Sequence, residues 1–123
     1  MSYEVIGHAS DRAAWLAARR DGIGASEIAA VLGRSKWKSP YALWLEKRSE
    51  VAHDLDSEAA EWGLLLERTI AEEWGRRASA KVEMDGRLLR SREHPWALCT
   101  LDSLYEHRER GSGHLEVKTT RYA

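Results

Sequence analysis

Leu98-Cys99-Thr100-Leu101-Asp102, joined through a connection holding Gly111 and Gly113 to Leu115-Glu116-Val117-Lys118, is the stretch on which the reading of this chain turns. Each apolar segment carries one acid. Strand side chains repeat every second residue, so Glu116 and Lys118 share a face with Val117 turned the other way. Paired as a hairpin, the two segments bring Asp102 to Glu116 at one strand end. Two carboxylates and the Val117 carbonyl then make a hard oxygen site of the kind Mg²⁺ takes, with water completing the octahedron. Lys118 stands beside it, placed to hold an attacking water for phosphodiester hydrolysis. A bare Glu-x-Lys arises by chance roughly once in two chains of this length, and alternating charge usually marks a solvated strand face. The reading therefore depends on a third acid and a phosphate-binding element upstream.

The third acid lies on a helix expected from about Ser57 to Arg77, with Ser57 as its cap and acids in its first turn. Trp62, Leu66, Ile70 and Trp74 recur every fourth residue and mark its apolar stripe. Glu67 sits one residue round from that stripe. Its neighbours three and four residues away are Gly63, Leu64, Ile70 and Ala71, so its carboxylate is expected half-buried and in need of a partner. The ordinary alternative is a boundary glutamate that reaches water.

The phosphate-binding element comes earlier. A first helix, Asp11 to Arg20 with Ser10 as N-cap, breaks at Asp21-Gly22-Ile23-Gly24-Ala25. Ser26 then caps a short helix, Glu27 to Leu32, that Gly33 closes. Helix-start N–H groups behind two glycines attract an anion, and Arg19, seven residues before Ser26, completes a pocket. A plain helix-loop-helix connection is the alternative. Ser26 to Ser35 also resembles the first helix and turn of a helix-turn-helix DNA reader. Pro40 breaks the recognition helix that reading needs, and Ser39-Pro40 instead start a helix over Tyr41 to Arg48, burying Tyr41, Leu45 and Trp44.

Val51 to Asp56 reads as an acidic linker. Lys81 to Arg92 reads as strand, with Asp85-Gly86 as either a hairpin turn or a bulge. Trp96 to Asp102 is the next strand, Glu109 to Gly113 a loop, and Leu115 to Thr119 the last strand. The order is helices first and then three consecutive strands, an α+β arrangement in one domain of 123 residues. The single Cys99 excludes an internal disulfide and fits a reducing, cytoplasmic setting, and no stretch has the length and apolarity of a membrane span. The five histidines show no zinc spacing, and no nucleotide loop or Ser-His-Asp pattern is visible. A net charge of −1 hides an uneven distribution. Arg19 to Lys38 holds five basic residues against two acids, whereas Glu46 to Glu73 holds nine acids against three bases. Such a chain can grip an anion at one edge and repel it at another.

Taken together, five pieces resemble the YqaJ-type viral recombinase domain, the phage lambda exonuclease group of the PD-(D/E)XK nuclease superfamily. They are Arg19 and Ser26 within Arg-Arg-Asp-Gly-Ile-Gly-Ala-Ser-Glu-Ile, then Ser39-Pro40-Tyr41-Ala42-Leu43-Trp44, Gly63-Leu64-Leu65-Leu66-Glu67, Thr100-Leu101-Asp102 and Glu116-Val117-Lys118. The resemblance runs across nearly the whole chain and implies a restriction-endonuclease-like core of helices flanking a mixed sheet. It implies a Mg²⁺-dependent exonuclease, with Mn²⁺ as the alternative ion, that digests one strand of linear duplex DNA from a 5′-phosphorylated end. It also implies an annealing protein as partner in phage recombination, in a bacterial host cytoplasm. Residue by residue, Asp102 and Glu116 become metal ligands with the Val117 carbonyl and with Glu67 as the further metal-site acid, and Lys118 the group that orients water. Arg19 and Ser26 fall where the terminal 5′-phosphate is held, with Thr100 assisting. The basic edge of Arg34, Lys36 and Lys38 is expected to track the DNA backbone.

The family pattern continues past Glu-x-Lys with a further helix and strand, so the chain reads as C-terminally truncated, with homo-oligomerisation as one way to supply the lost surface. The competing reading is a catalytically inactive domain that binds DNA ends or a phage partner without cutting.

Overall fold

In the computed structural model, which describes residues 2–49 and 58–120, the first helix starts one residue later than its sequence suggests. Ser10 Oγ bonds the His8 ring at 2.8 Å, and the cap falls to Asp11, whose carboxylate accepts from Ala14 N–H. Helix α1 then runs Arg12–Arg19. The next expected helix is two pieces, a 3-10 turn over Ala25–Glu27 and α2 over Ile28–Val31, closed by Gly33 at a φ of +68°. Ser39 caps α3, Pro40–Arg48, by accepting from Ala42 N–H at 3.1 Å, as its Ser-Pro start indicates. Its inward face differs from expectation. Leu43 is the buried residue, while Tyr41, Trp44 and Leu45 are exposed, because so short a helix turns only one narrow stripe inward.

These elements belong to a unit formed by residues 1–53 and 87–100. Its sheet has the order β1-β4-β5-β2, built from β1 (Tyr3–His8), β2 (Ile23–Gly24), β4 (Arg87–Ser91) and β5 (Ala97–Thr100). β4 pairs antiparallel with β1 and β5, and β2 lies parallel to β5. Ala30, Leu43, Leu88 and Leu98 are its buried apolar residues. β1 is absent from the sequence reading: it is an edge strand, mostly exposed and irregular between Val5 and Gly7, so it carries no clean alternation.

The second unit comprises residues 54–86 and 101–123. It holds helix α4, Glu58–Ala78, and an antiparallel sheet in the order β3-β6-β7, with β3 at Ala80–Met84, β6 at Ser103–His107 and β7 at Gly111–Leu115. Among the described residues, the three consecutive strands expected between Lys81 and Thr119 thus become five. Lys81 to Arg92 is neither a hairpin nor a bulged strand, since β3 and β4 lie in different sheets, and so do β5 and β6. Alternation reads the same on both sides of each break, so it does not reveal a change of sheet. A hydrogen bond from Asp85 N–H to the Asp102 carbonyl, 2.9 Å, ties the two breaks together. The expected Glu109–Gly113 loop shrinks to a turn at 108–110, where His107 Nδ1 accepts from the N–H groups of Glu109 and Arg110. The last strand therefore ends at Leu115, not at Thr119.

Helix α4 matches its expected span, although Ser57 and the Val51–Asp56 linker lie outside the described residues. Its inward stripe does not match. Trp62, Leu66 and Ile70 are exposed, and the buried positions are Ala71 and Gly75. Small residues face inward because the helix backbone approaches β3 closely: a Cβ on Gly75 would lie 2.6 Å from Val82 Cγ2 and 2.9 Å from the Ala80 carbonyl. Trp74 meets Tyr105 edge-on at 5.2 Å. Among the described residues no helix is long and apolar enough to cross a membrane.

Gly75→Ala is expected to destabilise the protein by about 1–2 kcal/mol, overpacking against a backbone carbonyl outweighing the gain in helix propensity. Urea denaturation reads this directly, and an unchanged or higher midpoint would contradict the close approach.

Candidate active site

The antiparallel register of β6 and β7 places Ser103 opposite Leu115, so Asp102 and Glu116 are the first residues past the last pair. Ser103 is fully buried and its hydroxyl donates to the Leu115 carbonyl at 3.3 Å, which fixes that end of the ladder. One step beyond, Val117 N–H donates to Asp102 Oδ2 at 2.8 Å. The two acids therefore meet as expected, but through a neighbouring hairpin and not through Leu98–Asp102. Glu116 and Lys118 lie on one side, Oε1 to Nζ 2.6 Å, although residues 116–120 pair with no strand.

Glu67, partly buried on α4, completes the group. Burial raises its pKa above the usual carboxylate value, and the negative charges of Asp102 and Glu116 raise it further. Asp102 is also raised, chiefly by burial, with the Val117 N–H opposing and Glu116 adding to the rise. Lys118 is held more firmly protonated by its bond to Glu116. Partial burial and mutual repulsion thus disfavour the ionised forms of both acids where they stand. Among the described residues no three His, Cys, Asp or Glu side chains are grouped closely enough to hold a metal ion. The oxygens that a hard divalent ion could take here are those of Asp102 and Glu116 and the Val117 carbonyl, with water, and the expected third metal-site acid, Glu67, is not grouped with them closely enough to share an ion.

The other unit holds a basic cluster. Arg19 ends α1 with its guanidinium 4.6 Å from the Trp15 ring centre, and Trp15 Nε1–H donates to Thr100 Oγ1 at 3.1 Å. Arg19 Nη2 lies 3.6 Å from Glu27 Oε1. Lys47 Nζ lies 2.9 Å from the same oxygen and donates to the Arg19 carbonyl at 2.7 Å. Glu27 Oε2 accepts from Gly24 N–H at 2.8 Å. Two cations thus share one largely buried carboxylate and leave excess positive charge. The backbone N–H of Gly24 is bonded to this carboxylate, and Arg19 and Lys47 are the cations beside it. Ser26 is exposed on the 3-10 turn.

Glu27 and Lys47 escaped the sequence reading. The signal for Lys47 is its spacing, one helical turn after buried Leu43, which turns it inward. Of the expected basic edge, Arg34 and Lys36 are exposed, and Lys38 is paired with Glu46.

Residues 14–123 match the YqaJ-like viral recombinase domain. The chain is 39% identical over 107 residues to the uncharacterized protein YqaJ of Bacillus subtilis, covering 86% of this chain and 33% of that protein. It is 42% identical over 55 residues to Protein D345L of African swine fever virus (strain Badajoz 1971 Vero-adapted), 45% of this chain and 16% of that protein. The chain thus spans a third or less of the length of these curated relatives.

The raised pKa of Glu67 has a stability consequence. Ionising it costs the folded state more than the unfolded one, so stability falls as pH rises from the ordinary carboxylate range through the raised value. Glu67→Gln in EDTA is expected to raise the thermal midpoint near pH 7, with the gain disappearing toward about pH 4. A midpoint below wild type near pH 7 would remove the argument from repulsion.

Proposed function

The chain belongs to the YqaJ-like viral recombinase family, and from that premise we propose that it is a Mg²⁺-dependent deoxyribonuclease, a 5′-to-3′ exonuclease on linear duplex DNA in phage-type recombination. The observation that carries the reading is the end of the β6–β7 hairpin. There Asp102, bonded by Val117 N–H, stands with Glu116 and Lys118 beside partly buried Glu67. Asp102, Glu116 and the Val117 carbonyl would hold the divalent ion. When bound, that ion supplies positive charge at the scissile phosphate and lowers the pKa of a water.

The chain's own residues divide the remaining work. Lys118 is kept protonated, so it acts as a donor that orients water or phosphate oxygen and not as a base. Glu67, its pKa raised above the ordinary carboxylate value by burial, is better suited to receive the proton of an attacking water than an ordinary glutamate. Arg19 and Lys47, assisted by Ser26 and Thr100, would hold the terminal 5′-phosphate, a dianion that offsets the excess charge of two cations on Glu27. Arg34 and Lys36 would contact backbone phosphates in a sequence-independent way.

The test is digestion of linear duplex DNA with 5′-phosphate or 5′-hydroxyl ends, in Mg²⁺ and in EDTA. Loss of one strand from phosphorylated ends, abolished by EDTA and lowered about 100-fold or more by Lys118→Ala, is the expected result. Folded protein that binds ends and leaves both strands intact would establish the non-cutting alternative.

Lys47→Ala is expected to lower the preference for phosphorylated over hydroxyl ends by about 10- to 100-fold. Equal losses on both kinds of end would make Lys47 a structural tether between α3 and α1 and nothing more.

A further inference from the structure

Trp37 is 94% exposed, so both faces of its indole are open to solvent. An isolated apolar ring of that size in water is unfavourable, and the loop that bears it is tightly built. Ser35 Oγ accepts from the N–H groups of both Trp37 and Lys38, at 3.1 and 3.2 Å, which holds the backbone under the ring in a fixed turn. Lys38 is tied to Glu46 on α3. Exposed Arg34 and Lys36 flank the tryptophan in sequence. On α3 two more aromatics face outward, Tyr41 at 67% and Trp44 at 50% exposure, stacked on each other at 5.9 Å and 19°. The Arg48 guanidinium lies 4.8 Å from the Trp44 ring centre. From Arg34 to Arg48 five basic residues face one acid, and that acid is the one paired with Lys38.

We propose that this loop and helix form a single-strand platform, on which Trp37 stacks against a base of unpaired nucleic acid while Arg34 and Lys36 take the adjoining phosphates. A π-face accepts any base, and basic residues next to it select a polyanion over an apolar protein surface. Tyr41 and Trp44, already stacked, supply the rigid flank. The inference deepens the proposed function, since removing one strand of a duplex leaves the other unpaired. It does not depend on cleavage.

The experiment is a binding titration of the full chain in EDTA with a fluorescent twelve-residue oligothymidylate, beside an abasic oligomer of equal length, over a range of salt. Trp37→Ala is expected to weaken binding to the oligothymidylate by about 5- to 100-fold and to leave the salt slope unchanged. Trp37→Tyr should restore most of the loss, and neither variant should alter binding to the abasic strand. Arg34→Ala with Lys36→Ala should weaken both ligands and flatten the slope. Because Trp37 is nearly fully exposed, its removal leaves the thermal midpoint unchanged, and a shared midpoint makes the comparison valid. Equal binding by wild type and Trp37→Ala, or an equal loss on the abasic strand, would overturn the platform. So would a wild-type dimer in sedimentation that Trp37→Ala dissolves, since the ring would then be covered by a second copy. Trp37-dependent binding by a protein that cuts nothing would uphold the platform and sink the nuclease reading, so the two fail separately.

Discussion

Where the β6–β7 ladder stops decides what the acidic site can be. Ser103 and Leu115 form the last pair, and the buried Ser103 hydroxyl bonded to the Leu115 carbonyl keeps the register from slipping. A slip of one residue would send Asp102 and Glu116 to opposite faces, because strand side chains alternate. The Val117 N–H on Asp102 continues the pairing by one side-chain rung after the backbone ladder has ended. That bond aims the carboxylate of Asp102 while residues 116–120 carry no strand partners of their own. The acids are thus placed by a rigid element and left outside it, where a ligand can reach them.

Convergence of like charges is unfavourable for the fold, and the surroundings show how it is contained. Glu67 and Asp102 are both raised by burial and by neighbouring negative charge, while Lys118 offsets part of it from the Glu116 side. The packing that carries Glu67 is backbone-close: Ala71 and Gly75 follow it at four-residue spacing on the inward stripe of α4. A bulkier stripe would lift the helix off β3 and take the carboxylate with it. The choice of small residues in the helix thereby sets the position of an acid two turns away.

Much of this was legible in the sequence, and the parts that were not fail for identifiable reasons. The Ser39-Pro40 start of α3, the Gly33 stop and the length of α4 follow from local chemistry, which tertiary packing did not override. The meeting of Asp102 and Glu116 was legible too, although the hairpin responsible was misplaced. Alternation marks strands but not which sheet they join, so the change of sheet at Asp85-Gly86 and at Leu101-Asp102 passed unseen. The stripe of α4 was misread because large apolar residues attract attention, whereas a close helix–sheet approach is signalled by Ala71 and Gly75. Glu27 and Lys47 were missed because an ion pair between residues twenty apart leaves no local trace. The short β2 strand, two residues long, carries no readable period at all.

Two lysines show how burial separates tasks that residue type leaves open. Lys118 has 78% of its side chain exposed and pairs with the Glu116 carboxylate, so its ammonium can exchange that partner for water or phosphate at modest cost. Lys47 has 17% exposed and donates both to a carboxylate and to a backbone carbonyl, so its charge is fixed in space. A fixed, partly desolvated cation suits recognition, where geometry must precede the ligand. A solvated one suits a step in which the charge to be met is still developing. The same side chain is thus a fixed charge in one unit and a solvated one in the other, and the difference lies in the groups that surround it.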